Sequence, residues 1–275
     1  MLKDEINGIL ENRQEDPGDF RDESGILLCG KCRTPKEQEI EWIDGEKRKM
    51  PVPCSCESKA EEERQQRVKE LERRQRVSEL RRSGITDSAY YTWTFAQDDG
   101  KNQKASQIAR NYVYHWETLR RDNTGLLIMG PVGSGKTFLA CCIANALIDR
   151  GFRAIVTNMP KLIKAVGSFE ERGIMEDLQG CDLLVIDDVG VERESAFALE
   201  QAYSIIDARY RSGRPLIVTT NLSPAELKSP KSLELQRIYD RIIEMCAYSV
   251  PVEESSRRRA ISRSKYERAN KLLEG

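Results

Sequence analysis

Residues 130–137 read Gly-Pro-Val-Gly-Ser-Gly-Lys-Thr. They satisfy the pattern G-x-x-x-x-G-K-[ST], whose chemistry is the cradling of phosphate. Phosphate oxygens need many donors and no side-chain bulk. Glycines let backbone N–H groups turn inward, and a following helix presents its positive end. The apolar run from Gly125 to Met129 supplies a strand before the loop, and Lys136 to Asp149 supplies an amphipathic helix after it. The candidate nucleotide contacts are therefore Gly130, Pro131, Val132, Gly133, Ser134, Gly135, Lys136, Thr137 and Phe138. Lys136 brings a mobile charge for the β- and γ-phosphates, and Thr137 a hydroxyl for Mg²⁺. A glycine-rich turn that matches by chance is the rival reading, and the strand–loop–helix context argues against it.

Two further strands end in polar groups. Leu183-Leu-Val-Ile is followed by Asp187 and Asp188. Four apolar residues bury a strand on both faces, and carboxylates then emerge at its C-terminal end, where ligands bind in such sheets. Asp187 is the expected Mg²⁺ partner. Asp188 is placed to orient and polarise the attacking water. Many ATPases carry Glu there; the shorter Asp predicts slow hydrolysis. Leu216-Ile-Val-Thr-Thr-Asn221 repeats the design, with the Asn221 amide as a holder for the water.

Eight cysteines fall into two sets. Cys29, Cys32, Cys54 and Cys56 form C-x2-C, a gap, then C-x-C. Four thiolates close a tetrahedral Zn²⁺ site, leaving no open position for catalysis, so the metal would staple a module too small to fold on its own core. Four unlinked thiols brought together by chance are the alternative. Cys141, Cys142, Cys181 and Cys246 sit among apolar residues and read as small buried hydrophobes. The one histidine, His115, lies beside Trp116 on a predicted helix, far from the cysteines.

These groups need a scaffold. From residue 85 onward strands and helices alternate: strands Arg153 to Thr157, Asp182 to Ile186, Leu216 to Thr220 and Tyr248 to Val252; helices Pro160 to Val166, Phe169 to Leu178, Glu194 to Arg211 and Leu233 to Cys246. Alternation implies an α/β fold with a parallel sheet covered on both faces. Gly25 to Leu28 and Gln38 to Ile43 are strand-like runs within the cysteine region. Residues 57–83 carry seven acids and nine bases with only Val68, Leu71, Val77 and Leu80 as an apolar stripe. That pattern predicts an exposed helix laced by charge pairs, with a disordered charged linker as the alternative. The domain reading is a zinc-binding module over 1–56, a charged linker helix over 57–84 and a nucleotide-binding domain over 85–275. Lys and Arg total 44 against 45 acids, so a uniformly basic nucleic-acid coat is excluded. No run approaches the roughly 18 apolar residues of a membrane span. No apolar leader follows the first residues, which makes cytoplasm the expected compartment.

The P-loop, the Asp-Asp strand, the Thr-Thr-Asn strand, Arg237-x-x-Asp-Arg241 and Glu254-Ser-Ser-Arg257 together resemble AAA+ ATPases, over about residues 86 to 260. More narrowly they resemble the DnaC/DnaI helicase loaders and the related IstB transposition helpers. The resemblance implies a five-stranded parallel sheet in the order 5-1-4-3-2, flanked by helices. It implies ATP and Mg²⁺ as ligands and ATP hydrolysis used as a switch. It makes Arg241, or else Arg237, an arginine finger for a neighbouring subunit's nucleotide, hence a homo-oligomer. Arg257 becomes the cis arginine that senses the γ-phosphate. The family usually has Gly where Glu253 stands, and Arg258 and Arg259 follow, which leaves three arginines open for that role.

The N-terminal cysteine module resembles the helicase-binding zinc module of DnaI-like loaders, which IstB-like helpers generally lack. The implied partners are a replicative DnaB-type helicase and single-stranded DNA, with no membrane. Lys161, Lys164 and Phe169 are the DNA candidates, an aromatic among phosphate-binding lysines; a core Phe169 with solvated lysines is the alternative. The basic run from Arg257 to Lys271 is a further candidate. Tyr90, Tyr91, Trp93 and Phe95 are expected to pack on the core near the adenine. The rival function is an IstB-like ATPase that regulates a DNA transposase.

Overall fold

The computed structural model describes residues 15–42, 45–166, 171–190, 195–253, 265–270 and 272–274. Two compact units divide the chain, Met1–Arg74 and Gln75–Gly275. The division falls inside a single 30-residue helix, α1 (Ser55–Gly84). Its exposed surface is laced by pairs such as Glu61–Arg64 at 2.8 Å and Glu70–Arg74 at 2.9 Å. Such pairs contribute a few tenths of a kcal/mol each.

The first unit holds two antiparallel hairpins. β1 (Phe20–Arg21) pairs with β2 (Leu27–Leu28), and β3 (Glu37–Glu41) pairs with β4 (Lys47–Pro51). The partner strands Phe20–Arg21 and Lys47–Pro51 are not readable in the sequence. One is two residues long, and the other begins Lys-Arg-Lys. Lys36 is the internal tie. Its ammonium is buried against Asp16 and Asp19, both at 2.7 Å, and Glu57 at 3.3 Å. Its backbone N–H donates to Leu27 and its carbonyl accepts from Val52, so one residue joins both hairpins.

The second unit is built on a five-stranded parallel sheet: β5 (Leu126–Met129), β6 (Ala154–Asn158), β7 (Leu183–Val189), β8 (Leu216–Thr220) and β9 (Tyr248–Pro251). Across the sheet they run β6-β7-β8-β5-β9. Numbered one to five along the chain, that is 5-1-4-3-2 read from the β9 edge. Side chains alternate faces along each strand. Leu126, Ile128, Leu183, Val185 and Ile217 enter one core with α2 (Gln103–Tyr114), α3 (Trp116–Arg121) and α4 (Lys136–Asp149). Leu127, Leu184, Ile186, Leu216 and Val218 enter the other, beneath α5 (Met159–Val166), α6 (Glu171–Gly180), α7 (Ala196–Arg211), α8 (Pro224–Lys228) and α9 (Leu233–Met245). His115 is not inside a helix as its sequence context predicts; it caps the junction between α2 and α3. The rings of Trp93 and Tyr90 meet at 4.4 Å, tilted by 39°, and pack on the first core, and the buried Asn145 amide donates to both of their carbonyls.

Arg209 fastens this second core. Its guanidinium is buried and donates to the carbonyls of Leu178 (2.8 Å), Cys181 (3.0 Å) and Pro215 (2.6 Å). Burial lowers its pKa, yet these carbonyls, with that of Asp182 at 3.3 Å, surround it with acceptors. The turn before β7 is thereby locked to the turn before β8. Arg209→Met should take a strong charged donor from each of these buried carbonyls and destabilise the second unit by about 3 kcal/mol or more, read as a lower urea midpoint.

Candidate nucleotide-binding site

The loop between β5 and α4 adopts conformations that few side chains tolerate. Gly133 and Gly135 have φ of 80° and 105°. At Gly130 an added Cβ would lie 2.1 Å from the Val252 carbonyl. The loop's backbone N–H groups can therefore converge at the N-terminus of α4, where the helix dipole favours an anion. Ser134 is buried in the loop, and its carbonyl accepts from the Asn102 amide at 3.2 Å. Phe138 packs on the first core with its ring 5.9 Å from Trp93. Lys136 is only 5% exposed. Its ammonium reaches the carbonyls of Gly130 and Pro131, each at 3.0 Å, and the Asn221 Oδ1 at 2.5 Å.

Asn221 links the loop to the acids. Its Oδ1 accepts from Lys136 while its Nδ2 donates to Asp188 Oδ1 at 3.1 Å. Only that orientation of the amide suits a cation on one side and a carboxylate on the other. Asp187 and Asp188 do not follow the end of their strand, as the apolar run predicts. β7 continues to Val189, and both acids lie within it. Pairing with β8 is regular through Ile186↔Val218 and resumes at Val189↔Thr220. One extra residue therefore stands in β7, a bulge that re-aims side chains. Asp188 takes φ 58°, a left-handed conformation that costs a non-glycine residue about 1–2 kcal/mol and that Asp tolerates better than most.

Burial pushes the Asp187 carboxyl above the usual carboxylate range, opposed by hydrogen bonds from the Thr219 and Thr137 hydroxyls and by the Lys136 charge. The Thr137 hydroxyl and the Asp187 carboxylate are thus in contact, and two hard oxygen donors beside a phosphate-binding loop suit Mg²⁺. Thr219 joins this group, although sequence reasoning passed over it as an individual residue. It is fully buried, and its Oγ1 donates to Asp187 Oδ1 at 2.6 Å. The available signal was the pair Thr219-Thr220 closing a buried strand whose other residues are apolar.

Not every candidate joins this group. Arg241 lies on α9, with its guanidinium 2.7 Å from Asp207, 4.4 Å above the Tyr203 ring and 5.6 Å from Tyr210. Arg237, one turn earlier on the same helix, borders a surface cavity with Glu200, Tyr203 and Glu234. Lys161 and Lys164 are exposed on α5. Phe169, Arg257, Arg258 and Arg259 lie outside the described residues.

In the first unit the four candidate metal ligands do meet. The Sγ atoms of Cys29, Cys32, Cys54 and Cys56 all lie within 4.8 Å of one another. Cys56 is 3.4 Å from Cys29, 3.3 Å from Cys54 and 3.4 Å from Cys32. Tetrahedral thiolates at 2.3 Å from a zinc would stand about 3.8 Å apart, so this donor set fits Zn²⁺ with a small expansion. Gly30 shapes the knuckle: a Cβ there would lie 2.1 Å from the Gly18 carbonyl. Hydrogen bonds from the hydroxyl and backbone N–H of Thr34 lower Cys32 to about 5, whereas the sulfurs of Cys54, Cys32 and Cys29 push Cys56 up to about 12. The thiolate form that a metal needs is thus favoured at Cys32, whereas Cys54, raised by burial, and Cys56 hold their protons more tightly and release them on ligation.

Two outcomes follow for metal analysis. The purified chain should carry about one zinc, lost in Cys54→Ser. Apparent zinc affinity should fall at least about tenfold for each pH unit lowered between 8 and 6, because each thiol proton displaced contributes one decade and both Cys54 and Cys56 are shifted upward; a competition titration with a chromophoric chelator reads both the slope and its sign.

Known proteins resemble this chain in sequence and in fold. Residues 49–265 match the family model described as IstB-like ATP binding protein. The replicative helicase loader DnaC of Escherichia coli K12 is 32% identical over 141 residues, covering 49% of this chain and 55% of its own. The replicative helicase loader DnaI of Bacillus subtilis is 24% identical over 137 residues, covering 45% and 44%. The aligned regions thus span about half the length of these relatives. A crystal structure of DnaI superposes with a TM-score of 0.54 at 21% identity, over 63% of this chain and 95% of that one, a likeness of fold. By family model and sequence, this chain belongs to the IstB-like ATP-binding proteins and is a relative of the DnaC/DnaI helicase loaders.

Proposed function

We propose that the chain is an ATP-dependent loader of a replicative DnaB-type helicase. It binds ATP with Mg²⁺ and single-stranded DNA, delivers the helicase to DNA and releases it on ATP hydrolysis. The observation that carries this reading is the relation to DnaC, joined to an unbroken polar chain from Lys136 through Asn221 to Asp188. The members of that polar chain come from the start of α4 and from the C-terminal ends of β7 and β8.

The residues divide the work as follows. The loop N–H groups and Lys136 hold the phosphates. Asp188 takes the role of orienting the attacking water, and Asn221 keeps its carboxylate aimed at the loop. Thr137 and Asp187 would hold Mg²⁺, which when bound offsets charge on the phosphates. Arg241 is the finger for a neighbouring subunit. Its pairing with Asp207 and Tyr203 holds the guanidinium until a more highly charged triphosphate competes for it. Lys161 and Lys164, with Phe169, contact single-stranded DNA. The cysteine module and α1 grip the helicase. Arg257 or one of its two neighbours senses the γ-phosphate.

A second reading keeps the same ATPase and replaces the helicase by a DNA transposase. The family model, whose description is IstB-like, favours it. The two readings separate on DNA preference, since a loader prefers single strands and a transposition regulator wraps duplex.

Lys136→Ala should abolish measurable ATP binding; an unchanged affinity would remove the phosphate-loop assignment. Arg241→Ala should bind ATP normally but lose at least about 10³-fold in turnover. Mixing it with wild type should change turnover with the subunit ratio, and a strictly linear response would rule out action in trans. Co-purification with a replicative helicase tests the partner. The whole chain should bind and a chain starting at Gly84 should not; failure of both leaves the transposase reading ahead.

A further inference from the structure

β7 carries one residue too many for its neighbour. Between Ile186↔Val218 and Val189↔Thr220, Asp187 and Asp188 together stand opposite Thr219. The Thr219 hydroxyl has one proton and two lone pairs. The proton goes to Asp187 Oδ1 at 2.6 Å, and a lone pair receives the Asp188 N–H at 2.9 Å. The N–H needs this acceptor, because the bulge removes its ladder partner. One buried atom therefore touches the side chain of the first acid and the backbone of the second. Thr220 secures the far flank, donating to the Val189 carbonyl at 2.7 Å and accepting from the Leu222 N–H at 3.0 Å.

The consequence reaches both proposed roles. Asp188 sits at φ 58°, and in that conformation its carboxylate meets Asn221. Asp187 has rotational freedom about χ1 and χ2 that the Thr219 hydrogen bond removes. We infer that Thr219 is a positioning residue that sets the metal-side carboxylate and the water-side carboxylate at once. It does so by holding the bulge that separates them. This rests on the reading of Asp187 and Asp188 given above and adds the device that spaces them.

An isosteric change isolates the hydroxyl. Thr219→Val keeps the branched shape that a buried strand accepts and removes both hydrogen bonds; Thr219→Ser keeps the hydroxyl. The first readout is equilibrium binding of a fluorescent non-hydrolysable ATP analogue across a Mg²⁺ titration. Thr219→Val should shift half-saturation to about tenfold higher Mg²⁺, with binding in EDTA unchanged, and Thr219→Ser should restore it. The second is turnover at saturating Mg²⁺ and ATP, which should fall about 10–100-fold in Thr219→Val and recover in Thr219→Ser. A merely structural threonine would lower the melting temperature without moving the Mg²⁺ midpoint. Wild-type midpoint and turnover in Thr219→Val, with Asp188→Asn inactive, overturn the inference alone. Full turnover in Asp188→Asn overturns the carboxylate reading on which it stands.

Discussion

A parallel sheet covered on both faces has no place for a charged side chain except where its strands end. The five strands of the second unit are apolar through their middles, and both of their faces are occupied by helices. Charge is expelled to the strand ends, with Arg209 and Asp182 at the N-terminal rim and the groups of the candidate site at the C-terminal one. Lys136, Asp187, Asp188 and Asn221 come from three separate segments, yet β5, β7 and β8 are neighbours, so the rim collects them. The order of strands, with β8 inserted between β7 and β5, sets Asn221 between the acids and the loop. That position lets one amide face a cation and a carboxylate at the same time.

The two units solve the problem of stability in different ways. The second has two large apolar cores and can bury Arg209 among carbonyls without loss of order. Among the described residues of the first, Leu27 and the cysteines Cys29 and Cys54 supply the buried apolar side chains. A unit of that size lacks the area to offset its chain entropy by apolar burial alone. Its order comes instead from Lys36 among three acids and from four sulfurs drawn together. The first device is an electrostatic cross-link between hairpins, and the second would become one with a zinc ion among the sulfurs.

The site illustrates how local strain is located. Asp188 is one of three non-glycine residues with positive φ among the described residues. It lies where β7 gains a residue, beside two threonines whose hydroxyls take over for lost ladder hydrogen bonds. The sheet tolerates the irregularity there because neighbouring polar side chains satisfy the backbone. Deeper in the strand, where Leu184 to Ile186 pair regularly, no such group is available.

The glycine spacing, Lys136, Thr137 and the apolar runs that end in Asp187, Asp188 and Asn221 were legible along the chain, because short-range spacing and strand burial leave a one-dimensional imprint. The C-x2-C and C-x-C pairs were legible for the same reason. The chemistry that depends on register was not. A bulge needs two strands to be defined, so the placement of both acids inside β7 and the role of Thr219 belong to the pairing with β8. The contacts of Arg241 with Asp207 and Tyr203 are likewise a property of α9 against α7, residues more than thirty positions apart. Lys36 reads as one lysine among many until the hairpins close around it. Local composition determined which groups were available; only tertiary packing decided which of them share a proton, a charge or a strand register.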